Sequence, residues 1–168
     1  MVRRISSVFV RQALSEDDAR IGDMYKHILI ATDGSELAEK AVADALALAK
    51  ALEARVTAVT VTDIYPTAPY SPIPMPSMIE RYEAAAARDA SKILASVSVA
   101  AGKLIVPCET RHIKDQMPAE GIVAVAAEAA CDLIVMASHG RRGVARMLLG
   151  SQAQKVVTLS PVAVLVCR

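Results

Sequence analysis

The chain has 168 residues, of which 54% are hydrophobic, 22% charged and only 3% aromatic. That length suits one domain with its own core, and the large hydrophobic fraction excludes disorder over the whole chain. The formal net charge is +1 and the basic residues are scattered, which argues against nucleic acid or an anionic membrane as a partner. Every apolar run is shorter than the ~20 residues that a membrane-spanning helix needs.

The cysteines and the N-terminal segment indicate the compartment and the domain boundary. Cys108, Cys131 and Cys167 form neither a CxxC pair nor a metal-ligand spacing. Reduced thiols of this kind are typical of a cytosolic protein, so we expect a cytoplasmic location. Residues 1–23 are expected to be a poorly ordered extension, and residues 24–168 a single domain.

From Met24 onward, strand-like apolar runs alternate with amphipathic helical stretches, the pattern of repeated βαβ units. Segment 65–77 holds five prolines and is predicted to be a long loop over the sheet. Pro107 interrupts the third strand and favours an edge position for it. The predicted strands are 27–32, 55–62, 104–110, 132–138 and 162–167, and the predicted helices are 35–53, 78–101, 118–130 and 151–159.

This alternation predicts an α/β fold, namely a Rossmann-like three-layer sandwich in a single domain. Right-handed crossovers give a five-stranded parallel sheet of order 3-2-1-4-5 with helices on both faces. In that order strands one and four are neighbours, and the chain leaves them on opposite sides. A crevice is therefore expected where these two strands end.

The loop after the fourth strand has the layout of a phosphate-binding loop. Gly140 and Gly143 let main-chain amides approach an anion closely. Ten residues after Gly140, Gly150-Ser151 opens a helix, with Gln154 at capping-box spacing from the serine. A helix N-terminus carries unpaired N–H groups and partial positive charge, so it also suits an anion.

Individual residues near the crevice allow more than one role. Asp33 can bind a ribose hydroxyl, an adenine edge or a hydrated cation, or it can cap the first helix together with Ser35. Arg141 and Arg142 can screen phosphate charge or form a solvated face. His139 has no acid or nucleophile near it in the sequence, which favours a loop-ordering hydrogen bond. The chain lacks a Walker loop, a G-x-G-x-x-G fingerprint and a nucleophile elbow, so no catalytic residue is assigned.

Asp33 after the first strand, followed much later by Ser-His-Gly, nine residues and Gly-Ser, resembles the universal stress protein family. The likeness runs over residues 25–168 and leaves out only the N-terminal extension. Its most specific segments are 26–35, 118–122, 132–140 and 161–166.

The resemblance implies that the crevice binds ATP. In nucleotide-binding members the loop reads Gly-x-x-Gly, nine residues, then Gly-Ser or Gly-Thr, and it wraps the phosphates. This chain has Ala137 in place of the first glycine. If that position needs a positive φ, the alanine costs about 1 kcal/mol or more, and if it does not, a methyl group merely lines the site. The implied nucleotide-binding residues are Ala31, Thr32, Asp33 and Val61 around adenine and ribose, and Met136, Ala137, Ser138, His139, Gly140, Gly150, Ser151 and Gln152 around ribose and phosphates.

The function implied by the resemblance is that of a cytosolic stress-response sensor or regulator, whose nucleotide state alters its contact with a protein partner. The resemblance also implies a homodimer joined through the last strand, which agrees with the apolar edge 162–166. Two alternatives stay open. One is a dimeric interaction protein with an empty pocket, and the other is a slow ATPase in which Asp33 places magnesium.

Overall fold

A computed structural model describes residues 25–65, 75–140 and 149–168. The expectations for the N-terminal extension, for most of the proline-rich loop and for Arg141, Arg142 and Gly143 lie outside these residues. The strands are β1 (His27–Ala31), β2 (Arg55–Val61), β3 (Cys108–Ile113), β4 (Leu133–Ala137) and β5 (Ala163–Cys167). The helices are α1 (Glu36–Ala51), α2 (Pro76–Leu104), α3 (Pro118–Glu128) and α4 (Ser151–Leu159).

The strands form one parallel sheet in the order β3-β2-β1-β4-β5, as the sequence predicts. β1 and β4 lie at the centre, and every residue of both strands is buried. This burial explains their uninterrupted apolar sequences, since a central parallel strand is covered on both faces. The predicted fold class is therefore confirmed.

The core is divided by the sheet into two layers. On one face Ile28, Ile30 and Val56 pack against apolar residues of α1 and α2. On the other face Leu29 and Ile134 pack against α3 and α4. Because side chains alternate along a strand, successive residues of β1 and β4 belong to different layers. Within the described residues, no helix is long and apolar enough to span a membrane.

The bounds of α2 and β3 differ most from the sequence prediction. α2 starts at Pro76 rather than at residue 78, since proline is tolerated in the first turn of a helix. It also continues to Leu104, where Ile105 ends it in the left-handed conformation at φ 60°. β3 consequently starts at Cys108, immediately after Pro107, and not at residue 104. Its predicted position at the edge of the sheet is correct.

Candidate nucleotide site

Two loops meet at the carboxyl edge of the sheet, one after β1 and one after β4. Ala31 and Met136 are paired in adjacent strands, so the residues that follow them lie side by side. The contact between the loops is close, because a Cβ atom added to Gly140 would lie 2.6 Å from Oδ2 of Asp33. Residues more than 100 positions apart in sequence thus lie side by side, at the crevice that the strand order predicts.

The loop after β1 is held in place by its own hydrogen bonds. Gly34 has φ 72°, a conformation that favours glycine, and its N–H donates to Thr32 Oγ1 at 3.2 Å. Oδ1 of Asp33 accepts from the Ser35 N–H at 3.0 Å. Ser35 is the N-cap of α1, and its hydroxyl accepts from the Ala38 N–H at 3.3 Å. Capping at this helix therefore belongs to Ser35, while Asp33 shapes the turn beside Gly140.

The loop after β4 is connected directly to the start of α4. The Gly150 N–H donates to the Ser138 carbonyl at 2.8 Å, and the Ser138 N–H donates to the Cys167 carbonyl at 2.7 Å. His139 Nδ1 lies 3.2 Å from Ser138 Oγ. His139 Nε2 is buried and has no hydrogen-bond partner among the described residues. The loop-ordering role expected for His139 is thus present, with one ring nitrogen left over.

The first turn of α4 lacks the capping box that the sequence predicts. Gly150, not Ser151, is the N-cap, and no side chain of the described residues caps this end. Gln154 donates the first intrahelical bond, from its N–H to the Gly150 carbonyl at 2.9 Å. The amide groups of residues 151–153 therefore precede the helical ladder, and the Ser151 hydroxyl is exposed. Such a helix end can hold an anion.

Glycine at position 150 lets the start of α4 lie close to the loop after β4. It has φ −70° and ψ 157°, which any residue can adopt. A Cβ atom there, however, would lie 3.0 Å from the Ser138 carbonyl oxygen and 3.4 Å from His139 Cδ2. Gly140 and Gly150 together leave room where side chains would otherwise fill the two loops.

Several residues of the expected set point their side chains into packing rather than into the crevice. Met136 belongs to the core layer under α3 and α4. Thr32 uses its N–H, carbonyl and hydroxyl groups in bonds to Val59, Thr60 and Gly34. Val61 packs on α3, since a Cβ at Gly121 would lie 3.0 Å from its Cγ1. These residues can contribute backbone groups or an apolar wall to the crevice. Ala31 is likewise buried.

Ala137 fits without strain. It is the last residue of β4 and is absent from the positive-φ residues of the described chain. Its side chain is buried with Ala38 and Ala41 of α1. The alanine therefore carries no left-handed conformational penalty, and its methyl group fills a gap between the sheet and α1.

The structure adds contacts that sequence reasoning missed. Oε1 of Gln152 accepts from the Ala119 N–H at 3.1 Å, so this side chain caps α3. Thr60 Oγ1 donates to the Thr32 carbonyl at 2.9 Å. The hydroxyl of Thr60 within an apolar strand was a usable signal for this bond, whereas nothing in the sequence links Gln152 to Ala119. No group of three or more potential metal ligands occurs among the described residues.

Comparison with known proteins gives one consistent result. The family model described as the universal stress protein family matches residues 24–168. A universal stress protein of Thermus aquaticus is 37% identical over 145 residues, which are 86% of this chain and all of that protein. A universal stress protein of Methanocaldococcus jannaschii is 32% identical over 146 residues, covering 87% of this chain and 84% of the relative.

Solved structures show the same architecture. A universal stress protein of Lactobacillus plantarum superposes with a TM-score of 0.71 at 24% identity, covering 86% of this chain and 98% of that one. A universal stress protein in complex with cAMP has a TM-score of 0.65 at 24% identity, with 86% and 98% covered. One from Archaeoglobus fulgidus in complex with dAMP has a TM-score of 0.64 at 18% identity, with 86% and 99% covered.

Proposed function

The chain belongs to the universal stress protein family, and from this premise we propose that it is a stress-response protein that binds ATP at the carboxyl edge of β1 and β4. Two of the similar structures were solved with cAMP and with dAMP, both adenine nucleotides. Those likenesses concern the fold, so the argument for binding comes from the loops of this chain.

The contact of Gly140 with Asp33 carries the proposal. A Cβ atom at position 140 would lie 2.6 Å from Asp33 Oδ2, so a side chain there would displace the carboxylate. Glycine leaves the Asp33 carboxylate and the Gly140 backbone next to each other. A carboxylate can accept hydrogen bonds from ribose hydroxyls, and open backbone can donate to phosphate oxygens. The Asp33 carboxylate thus suits the ribose of a nucleotide, and the open backbone suits its phosphates.

The phosphates would be held by backbone groups and by the uncapped turn of α4. Amides of residues 151–153 and the exposed Ser151 hydroxyl lie at that turn, where the helix dipole favours negative charge. His139 Nε2, which has no hydrogen-bond partner among the residues that the structure describes, is an additional group here. A bound nucleotide supplies a polyanion, whose presence or absence can alter the surface that this protein presents to a protein partner. Magnesium, where present, would approach Asp33.

Gly140→Ala is the direct test of this site. We expect the added methyl group to displace the Asp33 carboxylate and to weaken ATP binding by about tenfold or more, which corresponds to ~1.4 kcal/mol. Calorimetric titration of nucleotide-free protein measures the affinity. Mass spectrometry of freshly purified, denatured wild-type protein reports whether an adenine nucleotide copurifies.

Gly102→Ala is the matched control, because a Cβ atom at Gly102 meets nothing within 4 Å. This variant should bind ATP like the wild type. If wild-type protein takes up no adenine nucleotide, or if Gly140→Ala binds as tightly as Gly102→Ala, the proposed site is wrong.

We further propose that the protein works in the cytoplasm as a homodimer joined along β5. Within the described residues β5 is a terminal strand of the sheet, paired only with β4, and Leu165 on it is 43% exposed. An apolar edge strand of this kind favours pairing with another strand. A dimer would present two copies of the surface through which the protein contacts its partner.

A further inference from the structure

The first turn of α3 lies against the last residue of β2. A Cβ atom on Gly121, in that turn, would lie 3.0 Å from Cγ1 of Val61, so glycine allows the close contact. β2 and β1 are neighbours in the sheet, and the Thr32 N–H donates to the Val59 carbonyl at 3.0 Å. The turn of α3, Val61 and the loop that holds Asp33 therefore follow one another along the carboxyl edge.

The order of the strands indicates where the base of a bound nucleotide would lie. The proposed function puts the phosphates at the first turn of α4, beside β4, and the ribose at Asp33, which follows β1. In the same direction the next strand is β2. The base would therefore extend toward Val61 and the first turn of α3, where an apolar side chain suits a flat aromatic ring.

Gln152 connects the two ends of this site. Its Oε1 atom accepts a hydrogen bond from the Ala119 N–H at 3.1 Å, although the two residues are 33 positions apart. Its backbone lies in the first turn of α4, directly after the N-cap Gly150 and Ser151. The amide groups of that turn precede the helical ladder. One residue thus offers its backbone to the phosphates and its side chain to α3.

A side chain from α4 supplies a cap that α3 needs. Pro118 opens α3 and has no N–H, and the N-cap Met117 carries a thioether, which is a weak acceptor. Ala119 is fully buried, so leaving its N–H unpaired would be costly. The carboxamide of Gln152 therefore fixes the first turn of α3 relative to the first turn of α4.

We propose that Gln152 is a positioning residue for the base of the nucleotide, a role that rests on the proposed binding of ATP. By capping α3, its side chain holds the first turn of that helix against Val61, at the base end of the site. Loss of the cap would loosen the base end. The phosphate end, which is built from backbone groups, would keep its affinity.

Calorimetric titration with ATP and with inorganic tripolyphosphate separates the two ends, because tripolyphosphate has no base. Gln152→Ala removes the cap and keeps the backbone of α4. We expect this variant to bind ATP about fivefold more weakly, or worse, and to bind tripolyphosphate like the wild type. Gln154→Ala is the matched control, since it removes the same side chain from an exposed position on α4. It should leave both affinities unchanged.

Two further variants distinguish positioning from general damage to the fold. Gly121→Ala acts on the same turn of α3, because its methyl group must displace Val61. It should weaken ATP binding and leave tripolyphosphate binding unchanged. Gln152→Glu keeps an acceptor for the Ala119 N–H but adds a negative charge beside the phosphates, so it should weaken the binding of both ligands.

The role of Gln152 is wrong if Gln152→Ala binds ATP as tightly as Gln154→Ala does, or if it loses ATP and tripolyphosphate affinity by the same factor. Both results would leave the ATP site itself in place. A wild-type protein that binds ATP but no tripolyphosphate would also overturn the role, because the phosphates would then not be held independently of the base. A wild-type protein that binds no ATP would overturn the proposed function as well.

Discussion

Single glycines act in this protein in two different ways. Gly34 needs its positive φ of 72°, while at Gly140 a Cβ atom would lie 2.6 Å from Asp33 Oδ2 and would displace that carboxylate. The sequence predicts both as loop glycines but cannot separate conformation from close approach. The same limit applies to Ala137, whose unstrained conformation depends on its place at the end of β4.

Gly34→Ala should lower the free energy of unfolding by about 1 kcal/mol, since alanine is disfavoured in the left-handed region. Urea denaturation measures this change. Gly102→Ala, in the helical backbone of α2 with open space around it, should keep or raise stability by up to about 1 kcal/mol. Equal stabilities for the two variants would show that the turn after β1 tolerates a side chain.

Strands and helices were predictable where the hydrophobic pattern was continuous. α4 has the predicted bounds. β1, β2 and β5 differ from the prediction by one residue at one end, and β4 differs by one residue at each end. β3 was misplaced because the apolar run before Pro107 continues α2 and then turns at Ile105. A local pattern cannot show where a long helix stops when the stop residue, an isoleucine, is atypical for a left-handed C-cap.

Leu165→Lys on β5 should shift the protein from dimer to monomer, because a charge on an apolar edge opposes strand pairing. Light scattering coupled to size-exclusion chromatography gives the mass in solution. Val99→Lys places the same charge at an exposed apolar position on α2 and should leave the dimer intact. A monomeric wild type, or a Leu165→Lys variant that stays dimeric, would contradict the proposed β5 interface.

The topology of the whole molecule, including the crevice between β1 and β4, was predictable from the order of elements. The open groove where β1, β2 and β3 begin, lined in part by His27, Arg55 and Thr57, was not predictable, because it depends on how far α3 reaches over β2 and β3. Thr57 and Arg55 read in the sequence as ordinary strand residues. Their environment is set by a helix that begins more than 60 positions later.

Stability should decrease as the pH falls from 7.5 to 5.5. Burial, followed by the charge of Arg55, lowers the pKa of His27 below 6.5, and burial followed by Lys114 lowers the pKa of His112. The unfolded chain therefore binds protons at a higher pH than the folded chain, and stability is lost as pH falls through the unfolded value. Urea denaturation across this range measures the slope, and His27→Gln should reduce it. A flat profile, or one that rises toward acid, would contradict the assignment.

The bond from the Ala119 N–H to Gln152 ties the beginnings of α3 and α4 together. α3 is about 16 Å long, and its last residue, Glu128, forms an ion pair with Arg111 of the edge strand β3. A ligand held at the first turn of α4 would therefore lie beside a residue, Gln152, that is bonded to the start of α3, while the other end of α3 is bonded to β3 at the edge of the sheet.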